Sequence, residues 1–310
     1  MFPAPRRHHH GGAARPQAVT AAAVISVLPR LFLAALAATA LAVNIPGCEE
    51  KKPLIVGDLV IVHAVPLQWT ELEKGLQYTR LEFTRQADGQ NVMAAVLSVD
   101  PKKFRFSLLN APEIQGQPSA WVSDLAKKAG AVAAVNASFY LPETYEPIGL
   151  LVARGKVIHP WHQAAGSGIF WYDHSSAAIE WAKEYRDAWE QKELAIQAGP
   201  LIVEPKGEPG IYQDRQKYRS RTAIGLDPKG HVILLCTFRQ GQEELDLSGL
   251  DLYELMEIAR LPARHGGLGL DTVLNLDGGT SSALYLKLPQ LQLEIKSTHP
   301  VRNAVAVIKK

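Results

Sequence analysis

The chain has 310 residues, with 33 Lys and Arg against 31 Asp and Glu. That near balance excludes a nucleic-acid footprint over the whole protein and confines any anion recognition to a local site. Two cysteines allow at most one disulfide, which excludes a densely cross-linked scaffold.

The first segment reads as a leader. Arg6, Arg7 and Arg15 precede the apolar run 31–43, LFLAALAATALAV, which is too short to span a bilayer comfortably but suits the apolar region of a signal peptide. The run leads to Gly47-Cys48, which resembles a bacterial lipoprotein processing site. The expectation is therefore a leader over 1–48, a lipidated Cys48 as the mature N-terminus and a short charged tether over 49–53. The protein would be exported, periplasmic or at the cell surface, and held to the membrane by its lipid. Ordinary cleavage, an uncleaved anchor or a start downstream of Met1 are the alternatives, and His8 to His10 then have no metal-site meaning. Cys236 lies in the apolar run VILLCTF, where a buried, inert thiol is expected.

From residue 54 the pattern becomes globular. Alternation and apolar runs predict strands over 57–63, 77–84 and 91–99, with Asp88-Gly89 turning the last two as a hairpin. A strand over 104–109 is followed by a loop over 112–118. Ser119 is placed to cap a helix over 120–129, with Trp121, Leu125 and Ala129 at helical spacing and Gly130 closing it. The small and β-branched run 131–135 reads as a buried strand that delivers Asn136, Ser138, Phe139 and Tyr140 to its end. Loop 141–149 carries Glu143 and Glu146 beside that strand end. A small hairpin over 150–152 and 156–158 turns at Arg154-Gly155.

Trp181, Tyr185 and Trp189 are four apart and predict one packed face of a helix over 179–192, while Trp161 beside His159 and His162 is a candidate pocket lining. Strands over 194–197 and 201–203 bracket Ala198-Gly199-Pro200. Arg221 enters a strand over 222–226, and Asp227 to Gly230 turns the chain into a strand over 231–238. Ser248 is placed to cap a helix reaching Arg260. Further strands are read over 272–274, 291–295 and 303–308, with Arg302 at the start of the last. The fold class this implies is α+β, a mixed β-sheet core with strands in mixed directions and about three helices, over residues 54–310.

The stretch 272–285, TVLNLDGGTSSALY, concentrates the chemistry. Asn275 and Asp277 project at a strand end, and Gly278 and Gly279 permit a tight turn. Thr280, Ser281 and Ser282 then bring hydroxyls and N–H groups into a concavity able to hold an anion. The plain alternative is an Asp-Gly turn whose polar groups satisfy one another.

NASFY (136–140), PIG (147–149), QAGPLIV (197–203), RTAIG (221–225), NLDGGTSS (275–282) and RNAVAV (302–307) together resemble the phosphodiester glycosidase family, over roughly 92–308. Ala137 and Ser138 stand where many relatives have glycine, Tyr140 where Phe is common and Thr280 where a third glycine is frequent. These departures bear on the substrate more than on the fold. The resemblance implies hydrolysis of a sugar phosphodiester or related glycosidic bond in a glycan or envelope polymer. Asp277 and Glu143 become the catalytic candidates, by the two-carboxylate logic of glycoside hydrolysis. Asn136, Arg221, Arg302, Gly278, Gly279, Ser281 and Ser282 become the substrate-binding candidates, the guanidinium groups suiting phosphate oxygens. Asn136, Asp277, Arg221 and Arg302 are expected to meet in one pocket. A salt bridge from either arginine to Asp277 is the structural alternative.

The expected partners are a carbohydrate or glycosyl-phosphate substrate and the membrane, with no nucleic acid, and no cofactor or metal is called for. Two other readings remain at this stage: a metal-dependent phosphodiesterase using Asp277 with Glu143 or a histidine, and a non-catalytic glycan-binding lipoprotein.

Overall fold

Short β-branched and apolar runs, separated by turns with glycine at positive φ such as Gly75, Gly89, Gly155 and Gly230, build this chain from hairpins. A computed structural model describes residues 53–184, 186–213, 217–238 and 249–310, all within one compact unit, Lys51–Lys310. The expected leader, Cys48 and nearly all of the tether lie outside the described residues.

Among the described residues there are twenty strands. The first ten are β1 (Ile55–Val56), β2 (Leu59–Ile61), β3 (Thr70–Glu73), β4 (Leu76–Arg85), β5 (Asn91–Val99), β6 (Phe104–Asn110), β7 (Ala133–Asn136), β8 (Leu151–Ala153), β9 (Lys156–His159) and β10 (Gly168–Asp173). The rest are β11 (Ser176–Trp181), β12 (Leu194–Ala198), β13 (Leu201–Glu204), β14 (Glu208–Pro209), β15 (Thr222–Leu226), β16 (Val232–Phe238), β17 (Thr272–Asn275), β18 (Leu284–Lys287), β19 (Gln292–Ile295) and β20 (Asn303–Lys309). Three α-helices accompany them: α1 (Ala111–Gln115), α2 (Val122–Lys128) and α3 (Leu252–Arg260).

A ten-stranded sheet runs β1-β2-β4-β5-β16-β15-β17-β13-β14, with β3 on β4. Two five-stranded sheets run β11-β10-β12-β8-β9 and β19-β18-β7-β20-β6. The fold is thus α+β but dominated by sheet. The expectation of mixed strand directions is corrected: the pairings within all three sheets are antiparallel, among them β4 with β5, β10 with β12 and β7 with β20. The helices cover sheets instead of carrying parallel crossovers.

The central strands of the large sheet read as continuous apolar runs because both faces are buried. Ala95, Leu97, Leu234, Cys236, Ile224 and Leu274 face a core shared with the two smaller sheets. Their neighbours Ala94, Val96, Leu235, Ala223 and Val273 face a second core closed by Leu255, Met256 and Ala259 of α3. Burial pushes the Cys236 thiol up to about 12, so it is chemically inert.

Several local expectations are revised. Residues 111–115 form a short helix where a loop was expected, with Pro112 at its start and Gly116 ending it in the left-handed region. Helix α2 begins after Trp121, not Ser119, and is shorter than expected. Ser248 lies outside the described residues. Asp251 is the cap of α3, accepting from Tyr253 N–H while Glu254 bonds back to the Asp251 N–H.

The helix expected over 179–192 is replaced by the end of β11 and two short 3₁₀ turns. Its tryptophans are not one helical face. Trp171 and Trp189 both donate their indole N–H to Glu180 Oε2, at 2.7 and 2.8 Å, which ties the turn back to β10 and β11. Tyr185 lies outside the described residues. Trp161 donates to Ala182 O at 3.0 Å and packs on the satellite cluster of Leu150, Val152 and Ile169, so it is a wall of that cluster.

Buried side-chain amides fix strand ends, one of them between two sheets and one within a sheet. Asn136, 1% exposed at the end of β7, accepts from Thr222 Oγ1 of β15 at 2.7 Å and from Ala283 N–H at 3.0 Å, and donates to Asp277 O at 2.7 Å. Gln197 on β12 accepts from Leu150 N–H and donates to His162 O, and Gly149 lies against it. A Cβ at Gly149 would sit 2.7 Å from Ala165 Cβ and 2.9 Å from Gln197 Oε1, so close approach requires the glycine.

Two stability outcomes follow. Gly149→Ala should lower stability by about 1–3 kcal/mol through overpacking, measured by denaturant unfolding. Asn136→Leu should cost more, because three buried polar groups lose their partner at about 1–3 kcal/mol each. A stability change within error in either variant would contradict the corresponding contact.

Candidate active site

Strands β17 and β7 end side by side, and their ends carry Asp277 and Tyr140. The Asp277 main chain is fixed on both sides, its N–H donating to Ala137 O at 3.0 Å and its carbonyl accepting from Asn136. Its carboxylate accepts from Gly278 N–H at 3.0 Å. Burial pushes the Asp277 carboxyl up to about 6, against smaller lowering effects from the Ser281 hydroxyl and the Gly278 N–H. No ion pair to Asp277 is found among the described residues, so the salt-bridge alternative for the two arginines is not the arrangement seen.

Tyr140 closes one side. Its hydroxyl lies 3.1 Å from Ser281 Oγ and 3.3 Å from Pro300 O, and its ring stacks on Tyr145 with centroids 5.3 Å apart. Burial raises its pKa, the Ser281 hydrogen bond lowers it, and the Asp277 charge adds to the rise. Tyr140 therefore stays protonated and available as a donor. Tyr145 holds φ 59°, a left-handed conformation uncommon for a bulky residue, on the turn that follows β7. On the other side, Thr298 N–H donates to Thr280 O at 2.9 Å, which holds the segment before Pro300 against the Gly-Gly turn. Tyr140 was legible as a residue at the end of the strand 131–135 and as part of the NASFY motif, whereas the contribution of residues 298–300 carried no sequence signal.

The remaining expected site residues divide. Glu143 is exposed on the turn after β7, and no hydrogen bond or ion pair of it is found among the described residues. Glu146, on the same turn, acts on Arg302 together with Glu113 of α1. Arg302 donates from Nε to Asn110 Oδ1 at 3.1 Å; burial lowers its pKa, while Glu113 and Glu146 raise it.

Arg221 turns to the opposite face from Thr222, as neighbours on a strand must. Its Nε donates to Leu250 O at 2.8 Å and a terminal nitrogen donates to Lys217 O at 2.7 Å. Burial lowers its pKa and Asp251 raises it. The guanidinium ties segment 217–221 to the start of α3 and lines a separate cavity of about 640 Å³ with Tyr212 and Lys217. The expected convergence of both arginines with Asn136 and Asp277 is therefore corrected for Arg221, whose guanidinium is engaged by carbonyl groups on the far face.

Asn136 is likewise corrected from ligand contact to structural clamp, since it is buried with its acceptor filled. The anion nest expected from Gly278 to Ser282 is not present in that form. The N–H groups of Gly278, Gly279, Ser281 and Ser282 donate to Asp277 Oδ1, Ser220 O, Gly278 O and Gly279 O. Ser282 is fully buried and its hydroxyl faces the interior. Ser281 remains beside both Asp277 and Tyr140. Among the described residues no three His, Cys, Asp or Glu side chains group as a metal site.

The arrangement offers a carboxyl that titrates near neutrality, a hydroxyl pair beside it and a stacked tyrosine wall. That is a site for proton transfer or for facing developing positive charge.

Comparison with known proteins agrees in fold. A hypothetical protein from Synechocystis superposes with a TM-score of 0.59 at 15% identity, covering 80% of this chain and 64% of that one. The zebrafish N-acetylglucosamine-1-phosphodiester alpha-N-acetylglucosaminidase catalytic domain, auto-inhibited by its pro-peptide, superposes with a TM-score of 0.58 at 16% identity, covering 78% of this chain and 87% of that one. No curated protein matches the sequence significantly. Residues 129–308 match the phosphodiester glycosidase family, from just before β7 to the last strand. The chain belongs to the phosphodiester glycosidase family.

Proposed function

We propose that this protein is an exported hydrolase that cleaves a sugar phosphodiester within a glycan or envelope polymer, with Asp277 as its central catalytic group. Family membership supports a glycosidase-type hydrolase. The observation that carries the residue-level reading is the Asp277 carboxyl, raised to about 6 by burial on a turn clamped from both sides. Export and lipid anchoring at Cys48 rest on the leader-like residues 1–48.

A glycosyl phosphodiester presents an anomeric carbon and a phosphate monoester leaving group that is already stable as an anion. The leaving group needs little protonation, so the demand falls on the sugar carbon. Ionised Asp277 serves there, by taking a proton from the attacking water or by facing the cationic carbon as it forms. Tyr140 and Ser281 orient the carboxylate and offer hydroxyls to the sugar. Arg302 is the cation assigned to the phosphate, and Arg221 acts indirectly by supporting the segment whose Ser220 carbonyl holds Gly279 N–H at 2.8 Å.

Asp277→Asn should lower kcat on a sugar 1-phosphodiester at least about 100-fold with KM little changed. Near-normal turnover would make the carboxylate structural. The wild-type kcat should fall below about pH 6, where Asp277 protonates.

The same burial has a stability consequence. The folded-state pKa lies above the ordinary 3.8, so this group's stabilising contribution is complete below 3.8 and is lost as pH rises through about 6. Asp277→Asn should therefore raise Tm at pH 7 by an amount worth up to about 3 kcal/mol, and the gain should vanish in acid. Arg302→Ala should raise KM for phosphodiesters, with a loss of about 1.5–3 kcal/mol and little effect on a neutral aryl glycoside. Activity that is abolished by a chelator and restored by a divalent cation would favour a metal-dependent phosphodiesterase instead.

A further inference from the structure

The Asp277 turn has a neighbour that the proposed reaction does not use. A cleft of about 400 Å³ opens between α2 and β19, within the range of small-molecule sites. Its floor includes Ala283, the residue after Ser282, and one wall ends at Ser297, the residue before Thr298. The cleft and the Asp277 turn are therefore successive stations along the same two chain segments. Ala283 is held by Asn136, the clamp that also holds Asp277, so their relative position is fixed by one side chain.

Three features of the cleft are unexplained by folding. Trp121 is 42% exposed, although it stands at the helix-capping position, where a short polar side chain is favoured and where it makes no side-chain cap bond. Ser297 is 6% exposed, and its hydroxyl has no partner among the described residues. The walls carry Asp124 and Lys127 on one side and Glu294 and Lys296 on the other, so the signs cancel. An aromatic face with balanced hydrogen-bonding groups selects neither an anion nor a cation. It matches an uncharged ligand with an apolar C–H face and many hydroxyls.

We propose that the cleft between α2 and β19 is a saccharide subsite that stacks a neutral sugar residue of the substrate on Trp121, next to the bond cleaved at Asp277. This rests on the reading of the protein as acting on a glycan, and it adds an extended substrate of at least two units. Binding energy from the distal unit would serve to position the scissile bond.

The test uses binding, so that it stands apart from catalysis. Maltotetraose, cellotetraose and chitotetraose are titrated by calorimetry, at concentrations up to tens of millimolar, into the Asp277→Asn protein. The titration is repeated in that background with Trp121→Ala, Trp121→Phe and Ser297→Val, with thermal unfolding as the check on folding. At least one tetrasaccharide should bind, Trp121→Ala should weaken it about tenfold, and Trp121→Phe should retain most of it. Ser297→Val should weaken it by a smaller factor. Absence of binding by all three sugars, or binding unchanged by Trp121→Ala, overturns the subsite. Binding lost in Trp121→Ala while the wild-type protein turns over no sugar phosphodiester would support the subsite and overturn the hydrolase reading alone.

Discussion

One buried amide sets the geometry of the site. Asn136 has its acceptor filled by Thr222 and Ala283 and donates to the Asp277 carbonyl, so the large sheet, the β7 sheet and the Asp-Gly-Gly turn are pinned at a single point. An amide suits this role because it presents donor and acceptor in one rigid plane, and both kinds of backbone group need satisfying where strands end. Hydrocarbon would leave those groups unpaired, and a carboxylate could not donate. The main chain that carries the Asp277 carboxylate is then held in a poorly solvated place.

A second polar assembly performs a similar duty on the opposite face. Arg85 is fully buried, pairs with Asp88 at 3.1 Å and with Glu254 at 3.6 Å, and lies over the Tyr218 ring at 3.6 Å. Glu254 in turn completes the cap of α3, and Asp251 accepts from Lys217 N–H. Arg221 belongs with this group. Its partly buried charge is met by carbonyls and by Asp251, so the arginine of the RTAIG motif acts as a brace for segment 217–221. Buried charges of this kind are tolerated only where each is met by a partner.

Many strands were legible because alternation and apolar runs report burial directly, and β5 and β15 begin and end where the pattern places them. Legibility failed where a tertiary contact overrode a local pattern. The Trp181-Trp189 spacing imitates a helix, but it arises from a strand and a turn that share Glu180. Strand direction left no trace in the apolar runs, since burial of both faces makes antiparallel strands look like parallel ones. At the site, Asp277 and its turn were readable from composition. The orientation of Arg221 was not, because a residue at the mouth of a strand faces either way until its partners are known. The motif residue Asn136 proved to be a joint between two sheets, and Gln197 and Gly149 a joint between the strands and loops of one sheet; sequence cannot separate such joints from ligand contacts, as both demand a particular side chain.

The two-faced burial of β15 has one more implication. Where the chain enters β15, adjacent residues face opposite ways, Thr222 into the amide clamp and Arg221, just before the strand, into the brace beside α3. A slip of β15 by a single residue against β16 or β17 would exchange them, driving a guanidinium into the space that Asn136 fills and leaving a methyl-bearing hydroxyl among carbonyls that need a cation. Mispaired forms are thereby penalised twice, once in each interior. The charge pattern on either side of this strand is in this sense written into its register.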